Sequence, residues 1–231
     1  NINMEVYGGT VAGSGFIGAG GTVAVSSFKN ISRAEIRGSE LNAAGAIEIK
    51  ARSRDMISVK VGTAGIGVTG AGVAGAISVI LTETTTEASV ISDGDIKSKI
   101  NQDLRFRTGG IYAPASGAAQ TIQIQADNRS EVNTLGGALG AGAWLGLGAA
   151  VDYTSIQNRT VAMIGIGSKV YAGGNINLEA LSEKVVDSKV YSAGGGLFGI
   201  SGAVSIICVG SPISSDGANE FNGDIKNQVN N

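Results

Sequence analysis

The sequence predicts an all-β protein with the architecture of a parallel β-helix, or β-solenoid, built from repeats of about 54 residues. Glycine-rich runs recur along the chain, an apolar strand with period-2 alternation follows each run, and large or charged side chains are scarce. The 231 residues include 37 Gly, with 5% aromatic and 16% charged residues. Much Gly raises the entropy lost on folding, and a regular ladder of backbone hydrogen bonds is the structure best able to offset that loss.

The repeat is defined by the strands that follow the glycine-rich runs. Their central residues are Val23, Ile77, Val151 and Val204, at separations of 54, 74 and 53 residues. Two further short strands follow in the first three units: Ala34 to Ile36, Ala88 to Val90 and Ala162 to Ile164, then Ile47 to Ile49, Ile122 to Ile124 and Ile176 to Leu178. The extra length of one unit falls between Val90 and Ile122, so residues 93–120 are predicted to be an insertion loop on a regular frame.

Alternation within the strands predicts which side chains face inward. Ile47 and Ile49 are placed inside the solenoid, with Glu48 and Lys50 outside. Strands that begin every 11–13 residues predict two or three coils for each unit. Eight to twelve coils would form a rod roughly 40–60 Å long. The repeats are assigned to residues 1–210, and residues 211–231 to a polar tail or the start of another insertion.

Three G-x-G-x-x-G motifs are interpreted as packing features. They begin at Gly13, Gly65 and Gly194. A dinucleotide site needs one such turn between a strand and a helix, whereas these recur at the repeat spacing and lead into β-alternation. Glycine at these positions would let neighbouring coils or an overlying segment approach closely.

Several polar motifs are predicted to lie at turns or on solvated surfaces. Asp93-Gly94-Asp95 is interpreted as a turn rather than a calcium loop. The N-x-S/T asparagines are assigned to turns or an outer polar ladder; they are Asn30, Asn128 and Asn158. Two charged groups are assigned to solvated faces: Arg52, Arg54, Asp55 and Lys60, and Glu183, Lys184, Asp187 and Lys189.

The residue inventory argues against catalysis. The chain contains no His, the commonest general base and metal ligand. Glu83 and Glu87 are the closest acidic pair on a strand and are interpreted as structural. No catalytic residue, cofactor or metal site is predicted, so the chain is expected not to be an enzyme. A net charge of −2 does not favour nucleic acid, and Cys208 is expected to be a buried, inert thiol.

Long uncharged runs have two possible interpretations. Residues 61–82, 135–151 and 190–210 carry no charged side chain, and the favoured explanation is buried solenoid core. The alternative is a membrane-active segment, for which Trp144, Leu145 and Phe198 are the residues of interest.

The segments GAISVILTETTTEASV (75–90) and VYAGGNINLEA (170–180) resemble repeats of large filamentous adhesins. The resemblance is greatest to the leukotoxin-family filamentous adhesins of anaerobic Gram-negative bacteria, and it covers about residues 4–210. It implies a right-handed β-helix, type V export through an outer-membrane β-barrel transporter, and a secreted or cell-surface location. It also implies binding to a host-cell receptor or glycan. The secretion-recognition domain usual at the N-terminus of such adhesins is not visible in the sequence, so the chain is expected to be an internal shaft segment.

The expected function is therefore that of a rigid shaft whose binding surfaces lie on insertions. The candidate binding residues are Arg105, Phe106, Arg107 and Tyr112. One alternative is a membrane-active toxin segment. A second is a carbohydrate-active β-helix enzyme, which would require three or more acidic or basic side chains converging in one groove.

Overall fold

A computed structural model describes residues 2–43, 45–100 and 121–210, and all regular structure in these ranges is β-strand. The strands are β1 (Ile2–Ser14), β2 (Ile17–Arg37), β3 (Glu40–Leu41), β4 (Ile47–Gly67), β5 (Ala71–Ile91), β6 (Lys99–Ile100), β7 (Ile122–Gly142), β8 (Leu145–Ile164), β9 (Lys169–Val170), β10 (Ile176–Gly195) and β11 (Phe198–Val209).

The strands form three parallel sheets. The outbound sheet contains β1, β4, β7 and β10, the return sheet contains β2, β5, β8 and β11, and the base sheet contains β3, β6 and β9. Each coil runs along an outbound strand, turns tightly at the apex, comes back along a return strand and crosses a base strand. Successive coils pair in parallel, which confirms the predicted parallel β-solenoid.

The neighbours in each sheet are those that the sequence register predicted. Val23 pairs with Ile77, Ile77 with Val151, and Val151 with Val204. The later strands follow the same register, since Ile47 pairs with Ile122 and Ile122 with Ile176. Equivalent positions are therefore stacked directly above one another.

The predicted number of coils was wrong. β2 runs unbroken from Ile17 to Arg37, so the short strands predicted around Val23 and Ala34 are parts of one strand. Each unit makes a single coil rather than two or three, and four coils are described. Four strands spaced by about 4.8 Å span about 14 Å, whereas a 21-residue strand extends about 70 Å. This part of the molecule is a broad blade and not the expected 40–60 Å rod.

The predicted insertion, residues 93–120, starts too early in the sequence, because it includes a strand of the base sheet. Lys99 and Ile100 lie within 93–120, yet they form β6 and pair with both β3 and β9. Ile100 is fully buried, so this part of the segment belongs to the frame. Residues 101–120 and the predicted tail, 211–231, lie outside the described residues.

Two apolar clusters fill the space between the long sheets. One lies toward the apex and contains Ile57, Val59, Ile80, Val132 and Ile156; the other lies near the base and contains Ile47, Ile49, Val90, Ile122 and Ile124. The inward assignment of Ile47 and Ile49 is thus confirmed. Their equivalents Ile176 and Leu178 are 40% and 47% exposed, because β10 is the outermost strand of its sheet in the described stack.

A buried polar layer separates the two clusters. In the second coil Asp55 is 1% exposed. Its carboxyl accepts hydrogen bonds from Asn30 at 2.8 Å, Ser53 at 3.2 Å and Thr84 at 2.9 Å. Placing Asp55 on a solvated face was therefore wrong, because it shares the inward parity of Ile57.

The N-x-S/T asparagines belong to the same polar layer. Asn128 is fully buried and accepts a hydrogen bond of 2.6 Å from Asn158. Asn30 donates hydrogen bonds to Ser53 and Asp55 in the next coil along the chain. The prediction that these asparagines form a polar ladder on the outer surface was therefore wrong, because they face the interior. Buried amides need hydrogen-bond partners, and the polar side chains of this layer provide them for one another.

Between the apical cluster and the apex, the two long sheets come into backbone contact along a glycine seam. A Cβ placed on Gly65 would overlap the carbonyl oxygen of Val73, and one on Gly72 would overlap that of Ala141. Gly140 faces Leu147 in the same way. The G-x-G-x-x-G motifs lie at these strand-to-strand turns, and the close-packing interpretation is confirmed for the motif that begins at Gly65 and for most of the one that begins at Gly194. In the motif that begins at Gly13 it holds only for Gly18, because a Cβ on Gly13 or Gly15 would meet no atom within 4 Å.

Candidate functional site

The base of the blade carries a shallow pocket of about 340 Å³ with several charged walls. It is lined by Gly38, Ser39, Glu40, Asp95, Ile96, Lys97 and Lys99. These residues come from two successive coils, because Glu40 in β3 pairs with Lys99 in β6. We call this region the base-corner pocket.

Two left-handed glycines shape the pocket. Gly38 has a φ of 51° at the end of β2, and Gly94 has a φ of 55°, a conformation that glycine adopts without steric cost. Gly94 lies in a tight turn in which Asp93 and Ile96 exchange backbone hydrogen bonds of 2.8 and 2.9 Å. Asp93-Gly94-Asp95 is therefore a turn, as predicted.

Ser98 fixes the floor beneath the pocket. It is fully buried, donates a side-chain hydrogen bond to the carbonyl oxygen of Ile91 and accepts one of 3.3 Å from the amide of Ser39. The amide of Lys99 donates to the carbonyl oxygen of Ser39 at 2.9 Å. The backbone of both coils is thereby held in place, while Lys97 and Asp95 remain exposed.

A charged group on the outer surface of the return sheet adjoins the pocket through Arg37, the residue before Gly38. Arg33 pairs with Glu87 at 3.3 Å, and Arg37 donates a hydrogen bond to Glu35. That hydrogen bond and the nearby guanidinium charges lower the pKa of the Glu35 carboxyl, against an opposing effect of burial.

The mixture of charges sets the chemistry of this corner. Two carboxyls and two ammonium groups line one open pocket. Such groups donate and accept hydrogen bonds in several directions, which suits a hydroxyl-rich or zwitterionic ligand better than a strongly charged polymer. Among the described residues, no group of three or more His, Cys, Asp or Glu is placed to hold a metal ion.

The sequence-predicted binding residues Arg105, Phe106, Arg107 and Tyr112 lie outside the described residues. In the sequence they follow Ile100, the last residue of β6, whose other residue, Lys99, lines the pocket. Sequence reasoning missed the pocket because Glu40 and Lys97 are far apart in the chain. Extending the repeat register to β3 and β6 would have brought them together.

The other candidate residues have structural contacts. Glu83 pairs with Lys29 at 3.0 Å and Glu87 with Arg33 at 3.3 Å, so each acid of the predicted structural pair binds a cation on β2. Cys208 is 7% exposed, as expected for a buried thiol. The described residues contain no α-helix that could serve as a membrane span.

The fold therefore defines a parallel β-solenoid with one coil per unit and a charged pocket at its base. No protein-family model, curated protein or solved structure matches this chain.

Proposed function

We propose that this chain is a non-enzymatic scaffold segment of a secreted or cell-surface filamentous adhesin or leukotoxin-like exoprotein. In this proposal the stacked coils form a rigid frame, and the base corner presents the surface that contacts a host cell. The resemblance of the repeats supports the class of protein, and the position of the insertion supports the role of the corner. Export through an outer-membrane β-barrel transporter belongs to the same proposal.

The observation that carries the proposal is an insertion that leaves the frame unchanged. The connection from base strand to outbound strand comprises residues 42–46 in one coil and 171–175 in another, but residues 101–121 in the coil between them. Nevertheless Ile122 pairs in register with both Ile47 and Ile176. A long segment at one corner of a rigid scaffold is where binding functions are usually found.

The base-corner pocket indicates the chemistry of the partner. Glu40, Asp95, Lys97 and Lys99 can form hydrogen bonds with the hydroxyl and amide groups of a glycan. Arg105, Phe106, Arg107 and Tyr112, on the adjoining segment, would add the guanidinium and aromatic groups that often dominate binding energy at interfaces. A receptor glycan or glycoprotein on the host cell is the partner that these groups suit.

Binding to host cells can be tested by replacing residues 101–121 with residues 42–46, the equivalent short connection in the preceding coil. Flow cytometry with labelled protein should show that this replacement lowers cell binding by about tenfold or more. The double variant Arg105→Ala/Arg107→Ala should lower it in the same direction. Circular dichroism and the midpoint of thermal unfolding should show that both variants retain the fold.

The matched control is Arg52→Ala/Arg54→Ala, which removes the same charges from the exposed outer face of the outbound sheet. Its cell binding should stay within about twofold of that of the original chain, since scattered surface charges contribute little. Undiminished binding by the replacement variant would overturn the proposed role of the insertion. Equal losses in the control would show that net charge alone accounts for binding.

A carbohydrate-active enzyme is a second candidate, because the base-corner pocket brings together Glu40, Asp95, Lys97 and Lys99. Glycoside hydrolysis uses a pair of carboxyl groups, and Glu40 and Asp95 are the two available. Incubation with neutral and acidic polysaccharides should then release reducing ends or unsaturated products, and Glu40→Gln or Asp95→Asn should abolish the release. Absence of products from the original chain would exclude this candidate for the substrates used.

A further inference from the structure

The apex of the blade, at the opposite end from the base-corner pocket, carries a row of exposed apolar side chains. Phe16, Val68, Trp144 and Leu197 are 67%, 69%, 62% and 68% exposed, and Phe198 is 64% exposed. They come from the turns of successive coils, and the pairing of Ile17, Ala71, Leu145 and Phe198 stacks these turns in register. We call these five exposed residues the apical ladder.

The backbone of the apical turns is satisfied by the neighbouring turns. Ala71 donates to the carbonyl oxygen of Phe16 at 2.9 Å, Trp144 to that of Gly70 at 3.0 Å, and Phe198 to that of Trp144 at 2.8 Å. An apolar hollow of about 350 Å³ lies among Phe16, Ile17, Gly70, Ala71 and Trp144. The edge therefore presents side-chain hydrocarbon, and these backbone groups of its turns are already paired with the neighbouring turn.

Both outer faces next to the apex are also apolar. On the outbound sheet, the outward side chains near the apex include Val11, Ile66 and Leu139, which are 79%, 41% and 44% exposed. On the return sheet they include Ile17 and Ile200, which are 55% and 63% exposed. The blade is thus apolar on two opposite faces and on the edge that joins them.

Charge begins only at a distance from the apex. On β4 the nearest charged residue is Lys60, seven residues before the strand ends at Gly67, or about 23 Å. On β5 it is Glu83, twelve residues after Ala71, or about 40 Å. The ammonium group of Lys60 lies 5.3 Å from the centre of the Tyr7 ring, and Tyr7 is 65% exposed. This pair marks the end of the apolar region, at a distance from the apex that exceeds the hydrocarbon depth of one leaflet.

From this arrangement we propose that the apical ladder is a lipid-binding edge, which enters the outer part of a bilayer while the charged base stays in water. A folded partner usually covers one face of a protein, whereas a fluid hydrocarbon phase surrounds an edge and both of its flanks. One leaflet offers about 15 Å of hydrocarbon, less than the uncharged depth on either sheet. The unpaired backbone on the outermost described strands limits entry to a shallow depth, since such groups are costly in lipid.

Trp144 provides a direct test because it is the only tryptophan of the chain. Addition of phosphatidylcholine vesicles to the full chain should shift its fluorescence emission to shorter wavelength. Lipids brominated on the acyl chains should quench that emission. Co-sedimentation with the same vesicles should show bound protein.

Two variants at the apex and one elsewhere on the blade define the site. Phe16→Ser and Leu197→Ser should each lower the fraction bound, and together they should weaken binding by about tenfold or more. The matched control is Ile31→Ser, at a side chain that is 58% exposed on the base half of the return sheet. Its binding should stay within about twofold. Thermal unfolding should show that all three substitutions leave the fold intact.

Several results would overturn the proposal. Unchanged Trp144 emission with vesicles excludes insertion, and an equal loss of binding in Ile31→Ser excludes the apex as the site. Binding only to vesicles that contain anionic phosphatidylglycerol would assign the interaction to charged residues. A blue shift without lipid that grows with protein concentration, together with dimers in sedimentation velocity, would assign the ladder to contact with a second copy.

Discussion

Thr84 donates a hydrogen bond of 2.9 Å to the carboxyl of Asp55 across the interior of the blade, and so joins the return strand β5 to the outbound strand β4. Thr84 and Asp55 are both 1% exposed. The contact is part of the polar layer between the two apolar clusters. Buried polar groups of this kind destabilise a protein strongly when one partner is removed.

Thr84→Val should therefore lower the free energy of unfolding by about 1–3 kcal/mol, because it leaves the buried Asp55 carboxyl short of a donor. Thr85→Val is the matched control, since Thr85 has the outward parity of β5 and is only partly buried. It should change stability by less than about 0.5 kcal/mol. Urea unfolding followed by circular dichroism measures both. Similar values for the two variants would contradict a stabilising role for the Thr84 hydrogen bond.

Gly72→Ala should destabilise the fold by about 1–3 kcal/mol or more, because the added methyl group would overlap the carbonyl oxygen of Ala141 in the glycine seam. Gly75→Ala is its control on the same strand, where a Cβ meets no atom within 4 Å. That change should be neutral or slightly stabilising, since alanine lowers the entropy of the unfolded chain. Midpoints of thermal unfolding compare the two. An unchanged unfolding midpoint for Gly72→Ala would show that the two sheets can separate at the seam.

Ile122→Ala should cost about 2–5 kcal/mol, since Ile122 is fully buried in the basal cluster and its loss leaves a cavity. Ile176→Ala provides a control at the equivalent position of the next coil, where the side chain is 40% exposed. It should cost clearly less, because less apolar surface is returned to water. Denaturant midpoints give the comparison. Equal costs would indicate that an additional segment covers β10 in solution.

The contribution of Glu35 to stability should disappear in acid. Its pKa in the folded chain is lowered from the ordinary value of 4.5 by the hydrogen bond and charge of Arg37. The ion pair therefore stabilises the fold above pH 4.5, and this stabilisation is lost as the pH falls through the lowered pKa. Glu35→Gln should be slightly less stable than the original chain at pH 7, since the Arg37 side chain is half exposed and solvent screens the pair. The difference should shrink as the pH falls below 4.5 through the lowered pKa.

Arg37→Gln provides the check on this pH dependence. It removes the main cause of the lowered pKa, so it should reproduce the behaviour of Glu35→Gln. Thermal unfolding midpoints measured from pH 3 to pH 7 test both variants. Parallel curves for the original chain and Glu35→Gln would show that the pair does not contribute.

The repeat register and the inward faces of the basal strands could be predicted because they follow from local patterns. The pairing of Val23 with Ile77 and the burial of Ile47 need only a fixed repeat interval and period-2 alternation. The role of the seam glycines followed from their recurrence. In each case the residue type fits one environment only: an aliphatic side chain fits the apolar interior, and glycine fits a close contact between backbones.

The coil count could not be predicted, because polar residues inside the core resemble loop residues in a sequence. Thr84 and Thr86 lie in the middle of an unbroken strand, and their buried hydroxyls are acceptable only because Asp55 and Asn128 face them across the interior. The base-corner pocket was missed for a related reason. Glu40 and Lys99 become neighbours only through β3 and β6, two-residue strands that leave no alternation to detect.

Because each unit makes one coil, the solenoid gains little length along its axis for each residue of the chain. Each unit adds a single strand spacing, so the stack rises by about 4.8 Å for roughly 54 residues, or about eleven residues per ångström. A projection of 100 Å from a cell would take about twenty units and more than a thousand residues. In exchange, every coil offers two lateral surfaces about 70 Å wide. The coil whose base connection is lengthened, by residues 101–121, still pairs in register with the coils on both sides.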